Sequence, residues 1–327
     1  VVAEAGATEG TELATMLSTG AAYLRAMQAA GMDADPAAGQ IEIVIGSDPD
    51  FFTTIAKVRA ARRVWATMAG ACGVDSATAP PRIVVRTLHR CLSRRDPWVN
   101  MLRVTSAAFA AVMGGADSVV TLPFDSELGE PGELGRRMAR NTQLLLGEES
   151  GVGRVIDPAG GSWYVETLTD QLSLEAWSQF RTLEGAGGLP AALLDGSLAA
   201  RVATARNDRL ARVAKRRAAI TGVSEFPDIH EELPQTEPRG SAVGAVVDLT
   251  ESATRCEALE PVRWPEQFEA LRDAADLAAA GGGRPRVFLA NLGSVATHTA
   301  RATWAKNFFE AGGIEAVTSA RGAAEGF

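Results

Sequence analysis

The chain has little of what many chemical sites are built from. Its 327 residues include three cysteines (Cys72, Cys91 and Cys256) and three histidines (His89, His230 and His298). The cysteines lie far apart in sequence, which excludes a disulfide framework and fits a reducing compartment, so a cytoplasmic location is the expectation. A metal centre needs three or four convergent ligands, and no His/Cys cluster of that kind occurs, so no metal is expected. No apolar run approaches the roughly 20 residues that span a bilayer, and no basic stretch followed by an apolar one opens the chain. No membrane partner is therefore expected. Basic side chains number 32 against 40 acidic ones, a net charge of −8 that disfavours a nucleic-acid footprint. A G-x-S-x-G elbow is absent, as is any phosphate-loop pattern around Gly160-Gly161 or Gly281–Gly283, which read as turns and hinges. An initiator Met is also missing, and Val1 opens onto what reads as mid-domain sequence, so a piece of something longer is the expectation.

What is present is a globular α/β pattern. Hydrophobic residues make up 46% and charged residues 22%, and the 33 glycines with only 6% aromatics suggest many turns between closely packed helices. A leading helix is expected over 8–31. Strand-then-helix units follow: a β-branched strand at 41–45 with a helix over 51–70, a strand at 82–87 with a helix over 97–113, and a strand at 117–122 with a helix over 132–149. This alternation, with strands read as buried on both faces, implies a parallel sheet with helices outside. Three such units are too few to close a barrel.

From residue 151 the pattern changes. A Gly/Pro-rich segment leads to helices over 168–184 and 189–217, then a Pro-containing extended linker over 220–265 and a helix over 265–280. A further strand at 286–290 and a helix over 297–311 read as the opening unit of a second α/β domain. The stretch 201–217 carries seven basic residues. It could face an acidic partner, but a run of this kind is ordinarily a solvated helix face. His89 and Cys91 follow the second strand, where a barrel places functional loops, and are read as a loop histidine and a buried cysteine. His230 falls in the linker. After the last strand comes Asn291-Leu292-Gly293-Ser294-Val295-Ala296-Thr297-His298. His298 stands near a strand's carboxyl end, where cofactors bind, but no neighbouring carboxylate orients it.

Three stretches carry a family resemblance: RRDPWVN (94–100), MARNTQLLLGEESGVGRVIDPAGGSWYVETLTD (138–170) and ITGVSEFPD (220–228). With these the chain resembles the adenosylcobalamin-dependent acyl-CoA mutases, most nearly the methylmalonyl-CoA mutase family, over essentially its whole length. The resemblance implies the C-terminal part of a (β/α)8 TIM-type barrel over 1–167, a helical and extended linker region over 168–283, and the beginning of a degenerate flavodoxin-like cobalamin-type domain over 284–327. In that family cobalt–carbon homolysis supplies a radical that rearranges the acyl skeleton.

The family's chemical positions are altered here. Catalytic members ligate cobalt through the histidine of D-x-H-x-x-G. Aligned on Gly293, this chain has Asn291 for a lysine, Val295 for the aspartate, Thr297 for the histidine and Ala300 for the last glycine, with His298 one residue out of register. In the barrel, Leu88 stands for a histidine, Arg90 for a substrate-side glutamine, Leu122 for an asparagine and Ser126 for a glutamate. Arg86 and Thr87 persist as the remaining substrate-binding candidates. The resemblance thus implies no catalytic, cofactor-binding or metal-ligating residue on this chain. It implies a noncatalytic small subunit of a heterodimeric isomerase, whose catalytic large subunit binds adenosylcobalamin and the acyl-CoA. The alternatives are a catalytic mutase with an altered cofactor loop and a partner-independent binding or chaperone-like protein.

Overall fold

A computed structural model describes residues 1–75, 77–240 and 254–318. Linker residues 241–253 and the end of the expected second domain, 319–327, lie outside the described residues. The chain begins with α1 (Glu9–Ala29), capped by the Thr8 hydroxyl, which accepts the Thr11 N–H at 3.2 Å. There follow α2 (Ala34–Gly39), β1 (Glu42–Ser47), α3 (Phe51–Ala71), β2 (Arg82–Thr87), α4 (Val99–Met113), β3 (Ser118–Val120) and α5 (Glu133–Leu144). Next come α6 (Trp163–Gly185), α7 (Gly188–Leu194), α8 (Ser197–Ala214), α9 (Glu266–Ala280), β4 (Arg286–Leu289), α10 (Val295–Ala311) and β5 (Glu315–Thr318).

Strands β1, β2 and β3 form a parallel sheet in that order, with Val44 beside Val84 and Val84 beside Ser118. Arg62 of α3 joins the strands' amino ends, donating to Pro81 O at 3.1 Å, Gly115 O at 2.8 Å and Asp117 Oδ2 at 2.9 Å. One sheet face is apolar and covered: Ile43, Ile45, Ile83 and Val85 are buried in a core shared with α1, α3 and α6. The other face presents Val44, 59% exposed, and Val120, 43% exposed. The expectation of strands buried on both faces is corrected accordingly. In the described residues β2, and β1 as far as Ile45, alternate between buried and more open positions, as strands covered on one face do, while Gly46 and Ser47 at the end of β1 are both buried.

Helix α6 belongs to this core, since Leu172, Ala176, Phe180 and Leu183 pack with Leu13, Leu17, Val58 and Trp65. The region expected as linker from residue 168 therefore starts with a helix inside the core. The single helix expected over 189–217 is two helices. Gly196 takes φ +78°, and the Asp195 carboxylate accepts the Ser197 N–H at 2.8 Å, so the chain turns and restarts there.

Strands β4 and β5 form a second parallel pair, Val287 beside Ala316, with α10 between them in sequence. A second apolar cluster includes Leu92, Val104, Leu122, Trp264, Phe268 and Ala311, joining α9 and the end of α10 to the loops after β2 and β3. Beside it, Glu269 accepts from Arg263 at 2.7 Å and Arg94 at 3.1 Å, while Arg95 reaches Asp273 at 2.6 Å and Asp276 at 2.7 Å. Both arginines of the RRDPWVN motif thus bind α9. Among the described residues, no helix is long and apolar enough to cross a membrane.

A charge pair lies within the first core. Lys57 Nζ, on a residue 1% exposed, donates to Glu12 Oε2 at 2.8 Å, and Glu12 Oε1 accepts the Gly46 N–H at 2.7 Å. Removing one partner strands the other charge in the interior. Lys57→Ala is expected to lower unfolding free energy by about 3–5 kcal/mol. Chemical denaturation measures it, and a loss below about 1 kcal/mol, the value of an exposed pair, contradicts the buried pairing.

Candidate functional site

The carboxyl ends of parallel strands gather the loops that bind ligands in α/β proteins. Here that edge is organised by Arg90, 3% exposed. Its Nη1 donates to Ala3 O and Ala7 O, both at 2.9 Å, and its Nη2 reaches Asp48 at 2.8 Å and Glu9 at 3.2 Å. The Glu4 carboxylate accepts the His89 N–H at 2.9 Å and the Arg90 N–H at 3.0 Å. Residues 3–9 are thereby bound to the loop after β2. Burial pushes the Asp48 pKa up, but the Arg90 and Lys57 charges outweigh it and hold the carboxyl below its ordinary value. Burial likewise opposes the Lys57 charge, and Glu12, Glu9 and Asp48 overcome it, raising that pKa.

His89 and Cys91 take the roles read from the sequence. His89 Nδ1 lies 2.5 Å from Glu127 Oε1. Cys91 is buried, and its thiol donates to Leu88 O at 3.0 Å. Burial, aided by Asp48, pushes the thiol up to about 12, so it carries no thiolate near neutrality.

Leu88 lies over the backbone of β1. A Cβ added to Gly46 would fall 2.6 Å from both Leu88 methyl carbons, so glycine there gives Leu88 its place. Leu88 and Leu122 are both buried. Thr87 and Arg86 do not converge. The buried Thr87 hydroxyl accepts the Leu122 N–H at 2.8 Å, tying β2 to the loop after β3, while Arg86 is exposed beside Val120 on the open face. Asn100 ties the same loops, donating to Ser93 O and Phe124 O, both at 2.8 Å, and accepting the Ser93 N–H at 3.0 Å. Ser126 is buried and donates to Pro123 O at 2.6 Å.

At the end of β4, Asn291 and the left-handed Gly293 (φ +86°) lead into α10. Val295 is 72% exposed, Thr297 Oγ1 lies 2.9 Å from Ser294 Oγ, and His298 carries a buried Nδ1 with no hydrogen-bond partner. The loop places no carboxylate at Val295 and no imidazole at Thr297. Among the described residues, no group of three or more His, Cys, Asp or Glu is arranged to hold a metal ion.

Residues 1–303 match the family model described as methylmalonyl-CoA mutase. The chain belongs to the methylmalonyl-CoA mutase family. It is 48% identical over 315 residues to a methylmalonyl-CoA mutase small subunit of Streptomyces virginiae, covering 96% of this chain and 49% of that one. It is 44% identical over 320 residues to a probable methylmalonyl-CoA mutase small subunit of Mycobacterium tuberculosis, covering 95% and 48%. A methylmalonyl-CoA mutase large subunit of Streptomyces virginiae is 35% identical over 305 residues, covering 92% and 40%. The chain spans about half the length of the small-subunit relatives it matches.

Sequence reasoning missed the Glu12–Lys57 and Arg90–Glu9–Asp48 contacts. A signal existed at Lys57, which stands three, four and seven residues before Ala60, Ala61 and Val64 on a buried row, where ionised groups persist only when paired. The Gly46–Leu88 contact left no such mark.

Two outcomes test this geometry. Gly46→Ala is expected to cost about 1–3 kcal/mol by overpacking, and much less in a Leu88→Ala background. Equal costs in both backgrounds, measured by denaturation, contradict the contact. Because the folded Asp48 pKa lies below its ordinary 3.8, its stabilisation is present above that pH and is lost as pH falls through the folded value. The slope of stability against pH below 3.8 should therefore be shallower in Asp48→Asn. An unchanged slope removes Asp48 from the acid response.

Proposed function

We propose that the chain is a noncatalytic subunit of a methylmalonyl-CoA mutase, the isomerase that interconverts methylmalonyl-CoA and succinyl-CoA, and that it supports a catalytic large subunit. The small-subunit names of its relatives support this reading. The observation that carries it is Leu88, an apolar side chain packed over Gly46 where the family's catalytic members place an imidazole. A leucine can neither donate a hydrogen bond to a thioester carbonyl nor move a proton.

The cofactor loop supports the same assignment. A histidine-ligated cobalamin does not fit the donor set at Val295, Thr297 and His298: a threonine hydroxyl is no substitute for imidazole toward cobalt, and successive helical residues point about 100° apart. Adenosylcobalamin and the acyl-CoA are accordingly assigned to the partner, in the cytoplasm. Arg90 supports this too, since its guanidinium is committed to Ala3, Ala7, Glu9 and Asp48. We further propose that the three strand–helix units up to residue 167 are the C-terminal part of a (β/α)8 barrel whose interior side is the open face of Val44, Arg86 and Val120. Residues 168–283, whose first helix packs into the core with α1 and α3, then form the linker region, and 284–327 begin a degenerate flavodoxin-like domain. The alternative of a catalytic mutase with an altered loop retains Arg86 and Thr87 at the end of β2, but these do not converge and neither supplies an imidazole.

Co-purification tests the reading. The full-length protein should recover a larger chain containing D-x-H-x-x-G in a fixed ratio, with cobalamin quantified on that chain. Stoichiometric cobalamin on this chain purified alone, or turnover of an acyl-CoA without a partner, would overturn it.

A further inference from the structure

A cavity of about 650 Å³ opens beside the Arg90 contacts, between the amino ends of α1 and α3, α4 and α8. Its volume falls within the roughly 300–1,000 Å³ of small-molecule sites. Val99, Leu102 and Ile220 contribute apolar wall, and Thr8, Ser106 and Thr221 also line it.

The charges lining it are unequally matched. Glu9 and Asp48 are held by Arg90. Arg103 is buried, at 8% exposure, and its partners are neutral: Nη1 donates to Ser93 Oγ at 2.9 Å and Asn100 Oδ1 at 2.7 Å, and Nη2 to Thr221 O at 2.5 Å. Among the described residues no carboxylate lies at ion-pair distance from Arg103, and burial lowers its pKa, as befits a buried cation without a counterion. From the opposite wall, Arg209 and Arg212 project from α8 three residues apart, again with no ion pair among the described residues. Arg209 stands over the Trp264 ring, 5.8 Å from its centroid, and Arg90 is also stacked on that ring at 5.4 Å. The other lining acids, Asp50 and Asp208, are both exposed.

We propose that this cavity binds a phosphate-bearing small molecule, with Arg103 at its inner wall and Arg209 and Arg212 closing on the phosphate from α8. Guanidinium forks match phosphate oxygens geometrically. Several guanidiniums favour an anion of more than unit charge, and a phosphate ester carries about −1.5 to −2 near pH 7. The apolar wall and the volume beyond a phosphate group accommodate an organic body. The site uses neither Leu88 nor the loop after β4, and the one residue it shares with the altered family positions, Arg90, is committed to Glu9 and Asp48.

Calorimetry of the full-length protein with inorganic pyrophosphate tests this, with sodium chloride at matched ionic strength as the control. Saturable pyrophosphate binding is expected, weakened about tenfold or more in an Arg209→Ser/Arg212→Ser variant with an unchanged melting temperature. Arg103→Lys keeps the charge but loses the fork, and should weaken binding further. If that variant does not fold, the α8 variant still decides. Absence of saturable binding, an affinity the α8 substitutions leave unchanged, or an equal response to chloride overturns the proposal. None of these readouts depends on mutase activity, so failure here and failure of the subunit assignment are distinguishable.

Discussion

The carboxyl edge of the sheet depends on one guanidinium. Arg90 joins two backbone carbonyls of the N-terminal segment to Asp48 after β1 and Glu9 at the start of α1, while its own carbonyl accepts the Trp264 N–H at 2.8 Å. One buried residue, through its side chain and its carbonyl, thus connects the first residues of the chain, two strand ends and the entry to α9. The guanidinium geometry matters, because five donors in a fixed plane can serve acceptors on several sides at once, which an ammonium or a neutral amide cannot do. The same commitments leave Arg90 little capacity to bind anything from outside.

Around that anchor, scaffolding and chemistry have separated. Thr87, Asn100 and Ser93 form a satisfied set of hydrogen bonds that fixes the loops after β2 and β3. Asp125 contributes by accepting the Gly132 N–H at 2.8 Å where α5 begins. Buried polar networks of this kind specify a conformation without performing a reaction. Under the proposed assignment, the positions that would meet a substrate in a catalytic relative carry instead the apolar Leu88 and Leu122 and the committed Arg90.

Much of this arrangement was legible in the sequence. The β-branched runs marked β1 and β2, and Thr8 and Gly114 marked a helix start and a helix end, because those signals are local. Strand β3 is shorter than its hydrophobic run because Thr87 draws the Leu122 N–H away from the ladder, a long-range contact no window reveals. Helix α2 was missed because its six residues, with Pro36 inside, carry no full apolar period. The helix expected to reach 149 does so, but it widens to a π turn at Leu145–Glu149. At the strand ends, that Leu88 and Thr297 offer no imidazole was plain from residue identity. The cavity beside Arg103 was not, since its walls come from segments as far apart as Gly6 and Trp264, brought together only by packing.

The contact between α9 and the RRDPWVN motif has a mechanical consequence. Arg94, Arg95 and Arg263 meet Glu269, Asp273 and Asp276 in a seam that runs alongside the apolar cluster of Trp264 and Phe268. Apolar packing resists separation but has little directional preference, whereas interlocked forks and carboxylates resist rotation and sliding. Together they make α9 a stiff bracket instead of a swivel. The orientation of α9 relative to the loop after β2 is therefore fixed by directional contacts as well as by packing.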